Sequence, residues 1–412
     1  VKLLHAADLH IDSPLRGLST YEGAPADDLR TASRRALENL VSLAESEPVD
    51  AVLLAGDIYD GDWRDYQTGL FFVRCMSELR EAGIPVYMVS GNHDAQNRMT
   101  RSLRLPSTVF MLEADGPETR RDEGLGLAVH GQSFKQRDVS DNLAITYPEP
   151  CAGLFNVGLL HTALGGREGH ELYAPCSVEH LAAKGYDYWA LGHVHKREVV
   201  SQDPWIVFPG NAQGRHARET GPKGCTIVEV DDLRVSSVQH HDLDVARWEH
   251  LKVDVSEAAD PDAVVDLVAA QLRAMESGRL HAVRVSLVGR SEAHLRLWRE
   301  QYQLVNDVRM LANELSGVWV EKVRIETRLP DSPDEGAAGL LADLARTAAE
   351  LRADEDVFRQ LVTRTPLLSG SLSAEVWGEG RIDPADSDWL GRIGDEAVAL
   401  LESLVSEAGE SR

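Results

Sequence analysis

The chain has 412 residues, of which 43% are hydrophobic and 26% charged. That is long enough for two or three domains that each bury a core, and it excludes a peptide-scale scaffold and wholesale disorder. With 42 Lys and Arg against 67 Asp and Glu, the formal charge is −25, the wrong sign for a protein whose whole surface grips nucleic acid or anionic lipid, so any polyanion must meet a local patch or a metal.

The opening VKLLHAADLH lacks the basic leader and long apolar core of a secretory signal. No stretch reaches ~18 uninterrupted apolar residues, so no membrane span is expected. Cys75, Cys151, Cys176 and Cys225 lie far apart without a CxxC pair, as buried thiols of a reducing compartment do. The expectation is a cytoplasmic protein.

Along the first ~230 residues, short continuous apolar runs end abruptly in His, Asp, Asn and Gly. The runs are Lys2–Ala7, Ala51–Ala55, Val86–Ser90, Val157–Leu160, Tyr188–Leu191 and Ile206–Phe208, and they read as strands buried on both faces. Leu29, Leu37, Leu40 and Leu43 recur at helical spacing within Asp27–Ser46, and a second helix over Tyr66–Glu81 is stopped by Gly83 and Pro85. A βαβαβ beginning follows, and strand-to-helix loops of such a sheet gather polar residues at the carboxyl ends of the strands.

From about residue 245 the texture changes. HLKVDV, a helix from Asp260 (N-cap, with Pro261 at N1) to Gly278, HAVRVSLVGR, a helix over about 291–315 and VWVEKVRIET make a β-α-β-α-β module. Arg328–Ala337 reads as a linker, followed by Leu/Ala-rich helical patterns at about 337–364 and 386–407. The domains expected are 1–240, 246–328 and a helical region at 337–412.

Five clusters sit at the strand ends: Asp8-Leu-His10, Gly56-Asp57-Ile-Tyr-Asp60, Gly91-Asn92-His93-Asp94, Leu160-His161-Thr162 and Gly192-His193-Val-His195. Mixed carboxylate, amide and imidazole donors suit Mn, Fe or Zn in an open catalytic site rather than a closed structural zinc site. In extended chain, residues i and i+2 point to one side, so DxH and HxH can each aim two ligands at one centre. Seven ligands are too many for one ion and fit two that share a bridging carboxylate.

This ordered pattern, D-x-H, G-D, G-N-H-[D/E], H and G-H-x-H, closely resembles the calcineurin-like metallophosphoesterases over about residues 1–230. The resemblance implies an α/β (α+β) fold, a β-sandwich flanked by helices with a small αβ cap and C-terminal helices. It implies that Asp8, His10 and His195 hold one metal and Asn92, His161 and His193 a second. Asp57 would bridge them, His93 would be the proton donor or transition-state stabiliser, and Asp60 would orient it. DLHIDSPLRGL, YDYWALGHVHKREV and PGNAQGRHARETGPKGC further resemble the SbcD-type DNA repair exonucleases, in particular the YhaO-like subgroup. Ile11-Asp12-Ser13-Pro14 departs from the Leu-Gly of many of those nucleases. By this resemblance the chain is a DNA exo- or endonuclease using two divalent ions, Mn2+ foremost, with Fe, Zn or Mg as alternatives. Its partners would be DNA, an SMC-like (SbcC/YhaN-type) ATPase docked on the C-terminal helices, and a second copy of itself. The competing readings are a phosphoesterase acting on another phosphate ester and a non-catalytic DNA-end-binding subunit.

Other polar residues have ordinary readings. Asp94 caps the helix after it and stays outside the ligand set. Asp12 and Asp62 are solvated or turn residues. His130, His170, His180, His216 and His240–His241 lie outside the pattern as surface or packing histidines, His216 being near enough in sequence to contact substrate. Arg98, Arg101, Arg104, Lys135, Arg137, Lys196, Arg197, Arg215 and Arg218 surround the motifs and would form a phosphate-binding rim. Leu340, Leu341, Leu344, Ala348 and Leu351 form an apolar stripe that packs on the chain's own cap or on the ATPase.

Overall fold

The computed structural model describes residues 1–15, 23–60, 66–95, 103–165, 173–275 and 277–330, and the isolated positions 346, 347, 391, 394 and 397. The chain forms two compact units: Val1–His250 with Ser277–Val283, and Leu251–Glu276 with Arg284–Arg412.

The first unit starts with three parallel strands, β1 (Lys2–Ala6), β2 (Ala51–Ala55) and β3 (Val86–Val89), joined through helices α1 (Ala26–Ser46) and α2 (Tyr66–Glu81). In α1, Leu29, Ala36, Leu37, Leu40 and Ala44 are buried at i, i+3, i+4 spacing, and Asp27 and Asp28 suit the positive end of the helix dipole. After the short helix α3 (Asn92–Ala95), β4 (Val109–Met111) adds in parallel to β3.

A second sheet follows. Its strands are β5 (Glu118–Asp122), β6 (Leu127–Gly131), β7 (Phe155–His161), β8 (Tyr188–Gly192), β9 (Glu198–Gln202) and β10 (Trp205–Phe208), with helix α4 (Val178–Ala182) between β7 and β8. The spatial order is β5-β6-β7-β8-β10-β9, with β6, β7, β8 and β10 parallel and the edges β5 and β9 antiparallel. The chain then returns to the first sheet through the hairpin β11 (Gly224–Asp231) and β12 (Arg234–Asp242), completing the order β12-β11-β1-β2-β3-β4. Its two loop residues, Asp232 and Leu233, both have positive φ, which matches the twist of a tight hairpin.

The two sheets pack face to face. Leu3, Leu53, Tyr87 and Val228 of the first meet Val129, Val157, Leu159, Tyr188 and Val207 of the second in one apolar layer. α1 and α2 cover the outer face of the first sheet, while Tyr147, Leu181 and Tyr186 cover Trp189, Ile206 and Phe208 on the second. The expected sandwich flanked by helices is the architecture observed. Parallel strands from both sheets end at one rim, and the five polar clusters lie there.

The second unit draws on β13 (Ala246–Asp254), α5 (Pro261–Arg273), β14 (Leu280–Arg290), α6 (His294–Arg299), α7 (Gln301–Glu314) and β15 (Val318–Arg328), with sheet order β13-β14-β15. Asp260 caps α5 by accepting the Ala263 N–H at 2.9 Å. Two details differ from expectation. α5 ends at Arg273 rather than at Gly278, because Ala274 is already its C-cap. The single helix expected over 291–315 is two, broken at Glu300, where φ is −101° and ψ 20°. The first unit extends to His250 and takes in Ser277–Val283. The helical patterns at 337–364 and 386–407 lie outside the described residues apart from the isolated positions. Among the described residues no helix is long and apolar enough to cross a membrane. Cys75, Cys151, Cys176 and Cys225 are all free thiols.

Candidate metal centre

Each cluster begins where a strand runs out. Asp8 and His10 follow β1, Asp57 follows β2, Asn92 and His93 follow β3, His161 ends β7, and His193 and His195 follow β8. The backbone is bent to present them: Asp8 (φ +52°), His10 (+43°), Asp57 (+51°) and His193 (+102°) all occupy the left-handed region that non-glycine residues rarely adopt. Left-handed bends at four candidate ligands in one rim are the pattern of strain held at a functional site. The loops are laced together, Asp8 N–H donating to the Gly56 carbonyl at 3.0 Å and His10 N–H to that of Asp57 at 3.1 Å. Two glycines let them approach. A Cβ on Gly91 would strike the Asp57 carboxylate, and one on Gly192 would strike the Ala55 carbonyl.

Several of these side chains converge. Ligand atoms of Asp8, His10 and His195, of Asp8, Asp57 and His161, and of His10, Asp60 and His93 lie within 4.8 Å of one another in each group. His10 Nε2 faces His195 Nε2 at 3.2 Å and Asp57 Oδ2 at 3.9 Å. Asp57 Oδ2 also lies 3.4 Å from His161 Nε2, whose other neighbour is Asn92 Oδ1 at 3.1 Å. Asp57 thus stands between His10 on one side and His161 with Asn92 on the other. His193 is held differently: its backbone N–H donates to both oxygens of Asp8, and its ring lies 5.2 Å from that of His161. His93 Nδ1 donates to Asp60 Oδ1 at 3.0 Å, and Asp60 also accepts from Ser13 Oγ and from Arg215, the latter at 3.4 Å.

Burial and charge pull these groups in opposite directions. Burial raises the Asp8 carboxyl despite His195 and His161 nearby. Burial would also raise Asp57, but the charges of His161, His10 and His93 outweigh it and hold that carboxyl well below its usual range. Burial, together with Arg215, pushes His10 well down. For His161 burial opposes the charge, yet Asp57 lifts the ring to about 9. His93 is likewise raised, its burial overcome by the hydrogen bond it donates to Asp60 and by the charges of Asp57 and Asp60.

The residues fit a pair of divalent cations. Two buried carboxylates, an amide and several imidazoles are the donors that such ions take, and His10 Nδ1 is buried with no hydrogen-bond partner. Imidazole nitrogens facing one another at 3.2 Å are better served by a cation between them than by a shared proton.

Three residues act in ways the sequence pattern did not reveal. Glu219 Oε1 accepts from His195 Nδ1 at 2.7 Å, and nothing in GRHARETG marks it as part of the site. Asp94 lies within α3 rather than at the start of a helix after it, and it accepts the backbone N–H groups of Gly91, Ile58 and Tyr59, so pinning two of the site's loops together. Asp12 lies in a turn, as expected, but its carboxylate is not left to solvent: it accepts from Arg34 Nε at 2.7 Å and from Thr68 Oγ1 at 2.5 Å. Of the expected basic rim, Arg215 is inside the centre, Lys135 pairs with Asp115, and Arg137 donates to the Tyr173 hydroxyl. Arg98, Arg101, Asp62 and His170 lie outside the described residues. His216 is half-exposed and 3.5 Å from Glu219. His130 is fully buried and stacked on Tyr186, and His180 completes a capping box on α4.

Comparison with known proteins matches residues 1–197 to the calcineurin-like phosphoesterase family. These residues form a calcineurin-like metallophosphoesterase domain. Residues 248–328 match the middle domain of metallophosphoesterase YhaO. The chain is 37% identical over 271 residues to the uncharacterized metallophosphoesterase YhaO of Bacillus subtilis (strain 168), covering 64% of this chain and 66% of that protein. It is 26% identical over 261 residues to the DNA double-strand break repair protein Mre11 of Methanopyrus kandleri, covering 57% and 51%. To the Mre11 protein of Sulfurisphaera tokodaii it is 24% identical over 264 residues, covering 60% and 64%. The matched part therefore spans about two thirds or less of each relative's length.

Proposed function

We propose that this metallophosphoesterase is a cytoplasmic nuclease that hydrolyses phosphodiester bonds of DNA with two divalent cations, Mn2+ foremost. Asp8, His10 and His195 would hold one ion and Asn92, His161 and His193 the other, with Asp57 between them. The observation that carries the reading is the His93–Asp60 pair beside this ligand cluster, joined to the likeness to proteins named for double-strand break repair. When bound, such ions neutralise charge on a phosphate and make water easier to deprotonate.

The chain's own residues supply the rest. Asp60 fixes the His93 ring through Nδ1 and favours its protonated form, so His93 is placed to give a proton to a departing oxygen or to neutralise charge as a bond to phosphorus breaks. Ser13 and Arg215 hold Asp60 in turn. His93→Asn should keep its ions while losing about 100-fold or more in kcat, within the range for one acid–base group. Metal content and turnover on double-stranded, single-stranded and hairpin DNA, beside a chromogenic diester, check this. Undiminished turnover by that variant removes His93 from the mechanism, and activity on the diester alone favours another phosphate ester as substrate.

The helical patterns beyond residue 337 are, on this reading, the dock for an SMC-like ATPase, and the chain pairs with a second copy. Truncation at about residue 330 should abolish association with the ATPase and spare metal-dependent hydrolysis. Retained association would place the dock elsewhere.

A further inference from the structure

The second half of the PGNAQGRHARETG segment folds back onto the centre, and Glu219 is its hub. The carboxylate is 8% exposed and accepts on both oxygens. Oε1 takes His195 Nδ1 at 2.7 Å, while Oε2 takes the Asn211 amide at 2.9 Å and the Arg215 backbone N–H at 2.7 Å. Arg215 closes the arrangement, its Nη2 lying 3.3 Å from His195 Nδ1 and 3.6 Å from Glu219 Oε1, its Nη1 3.4 Å from Asp60 Oδ2.

An acceptor at Nδ1 decides which nitrogen of a neutral imidazole carries the proton. With Nδ1–H donated to Glu219, the lone pair of His195 is left on Nε2. That atom faces His10 Nε2 at 3.2 Å and Asp8 Oδ1 at 3.7 Å. We propose that Glu219 is the positioning residue of this centre, fixing the tautomer and ring plane of His195 so that Nε2 is offered to a cation shared with Asp8 and His10. The inference rests on His195 being a ligand. No other side chain can replace the carboxylate easily, because donors approach it from both sides. A glutamine of the same shape has one acceptor oxygen and must turn its NH2 either toward His195, reversing the tautomer, or toward Asn211 and the Arg215 N–H.

Isothermal titration of the full chain with Mn2+ tests this, using Glu219→Gln, His195→Ala and Asn211→Ala. Glu219→Gln should weaken one of the two ions by about 10–100-fold, as loss of an orienting hydrogen bond to a ligand histidine does, and leave the other at its wild-type affinity. 15N spectra of the metal-free protein with labelled histidine should show the His195 ring moving from one pure tautomer to a mixture. Asn211→Ala removes a different donor from the same carboxylate, so it should lower the melting temperature without changing ion affinity. An Asn211→Ala protein that loses the ion as Glu219→Gln does would overturn the proposal in favour of loop stiffness. Wild-type ion binding by Glu219→Gln, with His195→Ala losing one ion, would also overturn it. If His195→Ala keeps both ions, the ligand assignment itself is what fails.

Discussion

His5 and His10 stand five residues apart in one strand-and-loop segment, and their environments give them different chemistry. His5 is fully buried, its Nδ1 2.9 Å from the Tyr188 hydroxyl and its Nε2 3.2 Å from the Leu191 carbonyl. A neutral ring satisfies both, accepting at Nδ1 and donating from Nε2, and burial lowers its pKa from 6.5 to about 3. Since the unfolded chain takes up the proton first, the stability this ring contributes is complete above pH 6.5 and is lost as pH falls toward 3. Between about pH 7.5 and about pH 5 the loss amounts to about 2 kcal/mol. In urea denaturation, His5→Leu should be less stable at neutral pH, because the Tyr188 hydroxyl loses its acceptor, and should show a pH profile shallower by that amount. Parallel profiles would mean that the acid sensitivity enters elsewhere. At this scale the candidate ligands His10, His193 and His195 were legible because each carries a partner at fixed spacing, as in DxH and HxH, whereas His161 stood out only by its place in the ordered set. Glu219 was not, since a carboxylate that touches a candidate ligand from 24 positions away leaves no local pattern.

Among elements, the loop after β1 is tied to both helices that cover the first sheet. Asp12 binds Arg34 of α1 and Thr68 of α2, while its own N–H donates to Ser33 Oγ at 3.1 Å. Its φ of +58° is a conformation that glycine adopts without cost. Asp12→Ala should therefore cost about 1–3 kcal/mol from stranded donors and about 1 kcal/mol more from the backbone, whereas Asp12→Gly loses only the first contribution. Thermal unfolding of the metal-free proteins should rank wild type above Gly and Gly above Ala. If Ala equals or exceeds Gly, the bend carries no strain. Strands such as β2, β7 and β8 could be read directly because both of their faces are buried, which leaves a continuous apolar run. β5, with the sequence ETRRD, could not: it is an edge strand and its polar residues meet solvent. The break at Glu300 was also hidden, since the apolar spacing persists from α6 into α7.

At the scale of the first unit, the seven candidate ligands divide between the sheets. Asp8, His10, Asp57 and Asn92 extend from β1, β2 and β3, whereas His161, His193 and His195 extend from β7 and β8. The five clusters were readable in order along the chain, but which sheet bears which cluster depends on non-local pairing that no window of sequence contains. Ions held by both groups would stabilise the folded form alone. Mn2+ at about 100 times its dissociation constant should add about 2.7 kcal/mol for each site, raising the melting temperature, and a chelator should reverse it. An unchanged melting temperature on chelation would show that the ions add nothing to the fold. A cation bridging the rim would act as a rivet through two plates, so its removal would loosen the fold as well as stop turnover. Stripped of its ions, the rim is where the plates would part first.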